Sequence, residues 1–316
     1  MKNYRLFALL GASLVLPFAS LWLGPPLSGA QADFIFFQLR VPRLLVGALA
    51  GAALAISGAA FQITFGNPLA TPSTVGTLAG ATLGALIALV FGVEASVLGL
   101  PLTTFAAFAG ALLTSLAVAA VSSSGRARMS DVLLAGIAVS LAVSALAMGV
   151  QYVADTRAVF AASRWSLGQL PQVGYRGVYV LLPVVALTSI VILSQTRALS
   201  AFVLGEELAH AQGVSVRRLR LIVLIAASLS VAAIVAWCGP IAFVGLIVPH
   251  LVRLCVGPSV RSLLPLSALV GAAFLTLCDA LARALFPTRD LPVGVVTATL
   301  GAPALIWLIA RQRREN

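Results

Sequence analysis

Few residues in this chain have the chemistry for catalysis: two histidines, nine acids and three cysteines in 316 positions. Glu206 and Glu207 stand close to His210, yet with no second histidine and no cysteine nearby they supply neither a metal set nor an activated nucleophile. His250 sits at the inner end of an apolar run and reads as an interfacial residue. Asp279 and Arg283 form an i,i+4 pair in the favourable order, which a local ion pair at a helix end explains. Cys238, Cys255 and Cys278 make no CxxC pair, so neither a disulfide framework nor a zinc site is indicated. Lys2 is the only lysine, and a Gly-x-x-x-x-Gly-Lys phosphate loop is therefore impossible. If ATP drives this protein, ATP and its Mg sit on a partner, and the chain itself is expected to bind no cofactor or metal.

The elements that carry these residues are almost continuously apolar. Hydrophobic residues make up 60% of the chain and charged ones 9%, with a mean hydropathy of +1.07, which describes a polytopic membrane protein. A bilayer core of roughly 30 Å needs about 20 apolar residues per helix. Ten such spans are predicted, near 5–23, 43–63, 75–93, 102–121, 131–153, 175–194, 219–238, 241–256, 263–285 and 294–311. The fold class is thus all-α, about ten transmembrane helices in one membrane domain over 1–316. Lys2 and Arg5 precede an apolar run of about 18 residues, longer than a signal-peptide core, so it is expected to remain as the first span. With the N-terminus inside, the twenty basic residues divide thirteen to seven in favour of the cytoplasm, which also places the C-terminus there. The net charge of +11 therefore reports membrane topology, and no basic stripe with interleaved aromatics points to nucleic acid.

Against this background one polar interval, Ser194 to Arg220, stands out. Leu204 to Ala211 is predicted to be a short amphipathic helix stopped by a left-handed Gly213, with Val214 to Arg220 opening the next helix. Such a knob suits contact with another protein; a solvated loop between spans is the plainer reading. Between spans two and three, Gln62 to Pro72 contains two prolines that break helix and leave backbone groups unpaired. That backbone is either a cytoplasmic turn or a buried break at membrane depth. Arg157 to Val173 fits a short helix at the outer interface. Pro249 is positioned to kink span eight near its inner end. Glycines at four-residue spacing, Gly47–Gly51 and Gly76–Gly80–Gly84, allow close helix approach.

Taken together, these motifs resemble the permease subunits of type II ABC importers for ferric siderophores, haem and vitamin B12. The similarity runs nearly end to end. It is carried by Arg40-Val41-Pro42-Arg43, by Asn67-Pro68-Leu69-Ala70, and by Leu204 to Leu208, where Leu208 replaces the family's usual alanine. Gly245 to His250 and Leu291 to Thr297 complete the set. The resemblance implies a second permease copy or paralogue, two ATPase subunits, a periplasmic substrate-binding protein and an inner-membrane location. It makes the segment at about 199–215 a pair of cytoplasmic coupling helices, with Leu204, Gly205, Glu206, Glu207, His210, Gly213 and Val214 at the ATPase. Arg40, Arg43 and Arg283 would grip glutamates of the binding protein, for which a planar guanidinium is suited; snorkelling at the membrane surface is the alternative. Gln62, Asn67, Pro68 and Leu69 would belong to the inner constriction of the pathway. Ferric siderophore is the first expected cargo, ahead of haem and vitamin B12.

Two other classes fit less well. An ion-coupled carrier wants a carboxylate near the bilayer midplane, whereas Asp131 and Asp279 lie toward helix ends. A membrane enzyme acting on lipid or polyprenyl phosphate wants clustered acid-base groups at one depth, which His210 and His250 do not provide.

Overall fold

The structure, a computed structural model, describes residues 2–22, 32–91, 96–97, 100–123, 129–170, 174–285 and 291–315. Arg126, Arg128, Arg289 and residues 171–173 of the expected interface helix lie outside the described residues. Helices follow the ten predicted intervals: α1 (Lys2–Ala19), α3 (Val41–Thr64), α4 (Thr77–Val90), α5 (Leu102–Ser123), α6 (Met129–Val153), α8 (Arg176–Ser194), α11 (Val216–Cys238), α12 (Val244–Val256), α13 (Val260–Leu285) and α14 (Val293–Glu315). Between them lie the short α2 (Ala32–Phe34), α7 (Thr156–Trp165), α9 (Thr196–Phe202) and α10 (Glu206–Ala211). Ser96–Val97 and Leu100–Pro101 add a two-rung antiparallel ladder. Among the described residues, six helical stretches are long and apolar enough to cross a membrane, and α1, α4, α12 and α14 contribute shorter apolar runs.

α3 is the central helix. It continues from α2 through a π-helical turn at Ile35–Arg40, carries Pro42 at that junction, and is buried on nearly every side from Val46 to Thr64. Around it pack α13, α11, α12 and α8. In lipid the helices gain little from hydrophobic association, so close packing must supply the attraction. The glycines provide it. A Cβ on Gly51 would collide with the Gly271 carbonyl of α13, and one on Gly58 with the Gly245 backbone of α12. Gly80 and Gly84 of α4 lie equally close to Gly110 and Ala106 of α5. The predicted four-residue spacing is therefore used at two separate crossings.

Two spans are shorter than expected because the backbone breaks inside the bundle. Gly76 is left-handed (φ +90°), so α4 starts at Thr77. Gly239 (φ +71°), Pro240 and a left-handed Phe243 (φ +67°) delay α12 to Val244. Gly301 of α14 makes room for Phe243, since a Cβ there would meet its side chain. The interface helix ends at Trp165, earlier than expected. Its start is fixed by Asp155, whose carboxylate accepts the Ala158 N–H at 2.7 Å.

Gly58→Leu should lower unfolding stability by about 1–3 kcal/mol or more, since neither backbone at the α3–α12 crossing can yield. Gly11→Leu, where a side chain meets open space, should leave the melting temperature in detergent nearly unchanged.

Candidate functional site

The polar knob is built more tightly than a connecting loop. α9 and α10 are separated by Val203 to Gly205, where Gly205 (φ +112°) ends helical geometry; the predicted helix thus starts at Glu206 and not at Leu204. At its far end Gly213 (φ +79°) donates to the His210 carbonyl at 2.9 Å and Val214 to that of Ala209 at 3.0 Å. These two bonds form a Schellman closure that satisfies the last carbonyls of α10. Glu206 and Glu207 occupy the first turn, where the helix dipole favours acids. Glu206 accepts a hydrogen bond from Arg220 Nη2 at 2.6 Å, and the same guanidinium lies 5.8 Å from the centre of the Phe202 ring. Arg220, a residue not singled out from sequence, thereby ties α9 and α10 to the base of α11. Ala209 anchors the knob inward, while Leu204, Leu208, Glu207 and His210 face outward.

At the opposite end of the bundle two of the three expected docking arginines share one carboxylate, and the third, Arg40, holds the end of α1. Arg43 of α3 donates to both Asp279 oxygens, from Nε at 2.9 and 3.1 Å and from Nη2 at 2.8 Å. Arg283 approaches the same carboxylate at 3.2 Å and donates to the Ser20 carbonyl at 3.1 Å. Arg40 donates to the Leu21 carbonyl at 2.8 Å. Arg40 and Arg43 are buried, at 9% and 7% exposure. The cluster therefore also fastens the end of α1 to α3 and α13. Sequence spacing found the Asp279–Arg283 pair but not its partner 236 residues away.

The Gln62 to Pro72 break separates into a strut and an exposed tip. Buried Gln62 donates to the carbonyls of Gly245 (3.1 Å) and Leu246 (3.3 Å) on α12 and accepts from Arg253 Nη1 at 2.6 Å. His250 Nδ1 lies 2.9 Å from the same Leu246 carbonyl. Asn67 accepts the Leu69 N–H at 2.9 Å in a tight Asx turn, leaving Pro68 and Leu69 exposed. The chain then turns back into the bundle, and the expected unpaired backbone finds hydroxyl donors. Thr77 donates to the Pro72 carbonyl at 2.9 Å and Thr114 to that of Gly76 at 3.0 Å.

A cleft of about 460 Å³ is lined by both the break (Gln62, Phe65, Gly66) and the knob (Phe202, Val203, Gly205, Glu206), with Arg253 between them. The two candidate regions, more than 130 residues apart in sequence, are thus neighbours. A second groove, of about 390 Å³, runs between α4 and α6 and presents Ser73, Thr82, Ser140, Ser144 and Gln151 among small apolar residues. The rest of α6 exposes Leu134, Ile137, Leu141 and Tyr152, so this helix is weakly covered within one chain. No sequence signal marked these hydroxyl residues, because serines one turn apart on an apolar helix also occur as packing.

Residues 6–311 match the profile of the FecCD transport family. The chain belongs to the FecCD transport family. The cobalamin import system permease protein BtuC of Halobacterium salinarum is 42% identical over 285 residues, covering 88% of this chain and 74% of the relative. The hemin transport system permease protein HmuU of Yersinia pestis is 38% identical, covering 89% and 85%. A solved structure, an inward-facing conformation of a transporter assigned to the metal-chelate type of ABC transporter, superposes with a TM-score of 0.88. Its identity to this chain is 31%, over 98% of this chain and 99% of that one. This FecCD chain is therefore a multi-pass permease of an ABC importer, a transport component whose ATP hydrolysis resides on a separate subunit.

Asp279→Asn should cost about 3–5 kcal/mol of stability by leaving Arg43 uncompensated in a buried site. Combining it with Arg43→Gln should cost less than the sum of the two single changes, which a double-mutant cycle on thermal unfolding measures.

Proposed function

We propose that this permease moves an intact, bulky metal chelate across the inner membrane, and that the knob drives the pathway break through the cleft the two share. The observation that carries this reading is the placement of Glu206 and Gly205 on one wall of that cleft and Gln62 on another, with Arg253 between them. A displacement of the knob by a docked ATPase acts on α11 through Arg220. Across the cleft it also acts on the inner ends of α3 and α12, which Gln62 and Arg253 hold together. ATP binding on two ATPase subunits, with Mg there and no cofactor on this chain, then biases the equilibrium between the two orientations of the pathway.

The remaining partners follow the same geometry. A second permease copy or paralogue covers α6 and turns the hydroxyl-bearing groove into one half of the pathway. A periplasmic substrate-binding protein docks over the end that holds Arg40, Arg43 and Arg283, and both termini are cytoplasmic. Arg40 and Arg43 are supports of that surface while Asp279 holds the cluster. The chain works as one domain over 1–316. Among cargos, cobalamin and haem stand first, because relatives at 42% and 38% identity carry those names; ferric siderophore is the third.

The test is ATPase turnover and uptake in proteoliposomes of the complex assembled with its own ATPase and binding protein. Leu208→Asp/Glu207→Arg, which changes only outward-facing knob residues, should reduce binding-protein-stimulated turnover at least roughly tenfold, the effect expected of central interface residues. Arg253→Ala should leave assembly intact and lower uptake per ATP hydrolysed. Unchanged turnover in the first variant, or uptake by this chain without any ATPase, overturns the reading.

A further inference from the structure

Between α8 and α11 lies a groove of about 590 Å³ that no part of the proposed transport mechanism uses. Its walls are apolar: Leu187 and Val191 from α8, and Leu221, Ile222, Ile225 and Leu229 from α11. Along their length the hydroxyl of Thr188 already donates within its own helix to the Val184 carbonyl at 2.8 Å. Polar groups occur at one end only, where Arg217 and Arg218 stand exposed beside Ser215. Neither arginine has an ion-pair partner among the described residues; the neighbouring Arg220 is the one engaged, with Glu206.

The dimensions fit one kind of molecule. From Arg218 to Leu229 is eleven residues of helix, roughly 16 Å at 1.5 Å per residue. That equals about half of a 30 Å hydrocarbon core, the thickness of a single leaflet. A slot one leaflet deep, closed to hydrogen bonding along its length and cationic at its mouth, offers nothing to an extended peptide, whose backbone N–H and C=O groups would go unsatisfied there. It matches an acyl chain attached to an anionic headgroup. We infer that this groove binds an anionic glycerophospholipid, its chain along Leu221 to Leu229 and its phosphate on Arg217 and Arg218. The assignment takes from the proposed function only the membrane side, which makes the lipid one of the cytoplasmic leaflet. Because α11 leads directly from the knob, the bound lipid would brace the helix that carries the knob's motion.

Photolabelling of the complex in phosphatidylcholine nanodiscs tests this. A tracer of phosphatidylglycerol bearing a diazirine on its acyl chain is compared with the matching phosphatidylcholine probe, and labelled peptides are located by mass spectrometry. The expected result is labelling within 187–191 and 221–229 by phosphatidylglycerol well above phosphatidylcholine. Arg217→Gln/Arg218→Gln should weaken phosphatidylglycerol retention roughly thirtyfold, two surface cations' worth of attraction to an anionic lipid, while Arg217→Lys/Arg218→Lys retains it. Ile225→Trp should block labelling with both arginines intact. Equal labelling by the two probes, labelling unaffected by Ile225→Trp, or a co-purified polypeptide crosslinked along the groove in place of lipid overturns the inference. Labelling requires neither nucleotide nor cargo, so it fails or succeeds independently of the transport reading.

Discussion

Lipid offers a membrane helix neither water for its backbone nor a hydrophobic reason to leave it, so this bundle depends on backbones meeting at glycine. α3 is the helix on which that constraint falls hardest. Its approach to α13 at Gly51–Gly271 and to α12 at Gly58–Gly245 leaves no space for a side chain between main chains. The gain comes from dispersion at short range, individually small and summed over long contacts. Once α3 is held on these faces, α4 and α5 can pair with each other through Gly80, Gly84 and Gly110 as a second unit.

Polar interactions are then confined to places where they do something glycine packing cannot. At one end Asp279 of α13 pairs with Arg43 of α3 and with Arg283, while Arg283 and Arg40 donate to the Ser20 and Leu21 carbonyls at the end of α1. At the opposite end Gln62 and Arg253 join α3 to α12. Between these ends the helix breaks at Thr71–Gly76 and Gly239–Phe243 are embedded in protein. The freed carbonyls of the first break are capped by threonine hydroxyls rather than by water.

The knob shows the same economy on a smaller scale. Six residues of α10 could not hold a helix alone in water. The Schellman closure at Gly213, the buried Ala209 and the Arg220 contacts to Glu206 and Phe202 make it one body with α11. What it leaves outside is a small apolar and acidic surface, Leu204, Leu208 and Glu207, of the type that a partner's cleft can cover.

By itself the sequence determined the class of molecule, the helical intervals and the family motifs, because hydrophobic run length, glycine spacing and proline position are local properties that a bilayer converts directly into helices. It also located the knob, since a charged interval between apolar spans has nowhere else to go, and Gly213 announces its own turn. It placed the start of α10 and α12 too early, because the effects of Gly205 and of Gly239 to Phe243 on helix geometry depend on dihedral angles that residue type alone leaves open. Only the tertiary structure decided that Asp279 serves Arg43 as well as Arg283, that Gln62 is a strut while Leu69 is exposed, and that break and knob share a cleft. Those facts join residues from 130 to more than 230 positions apart, and in lipid such pairings are chosen by which helix surfaces fit closely, a property of shapes in three dimensions.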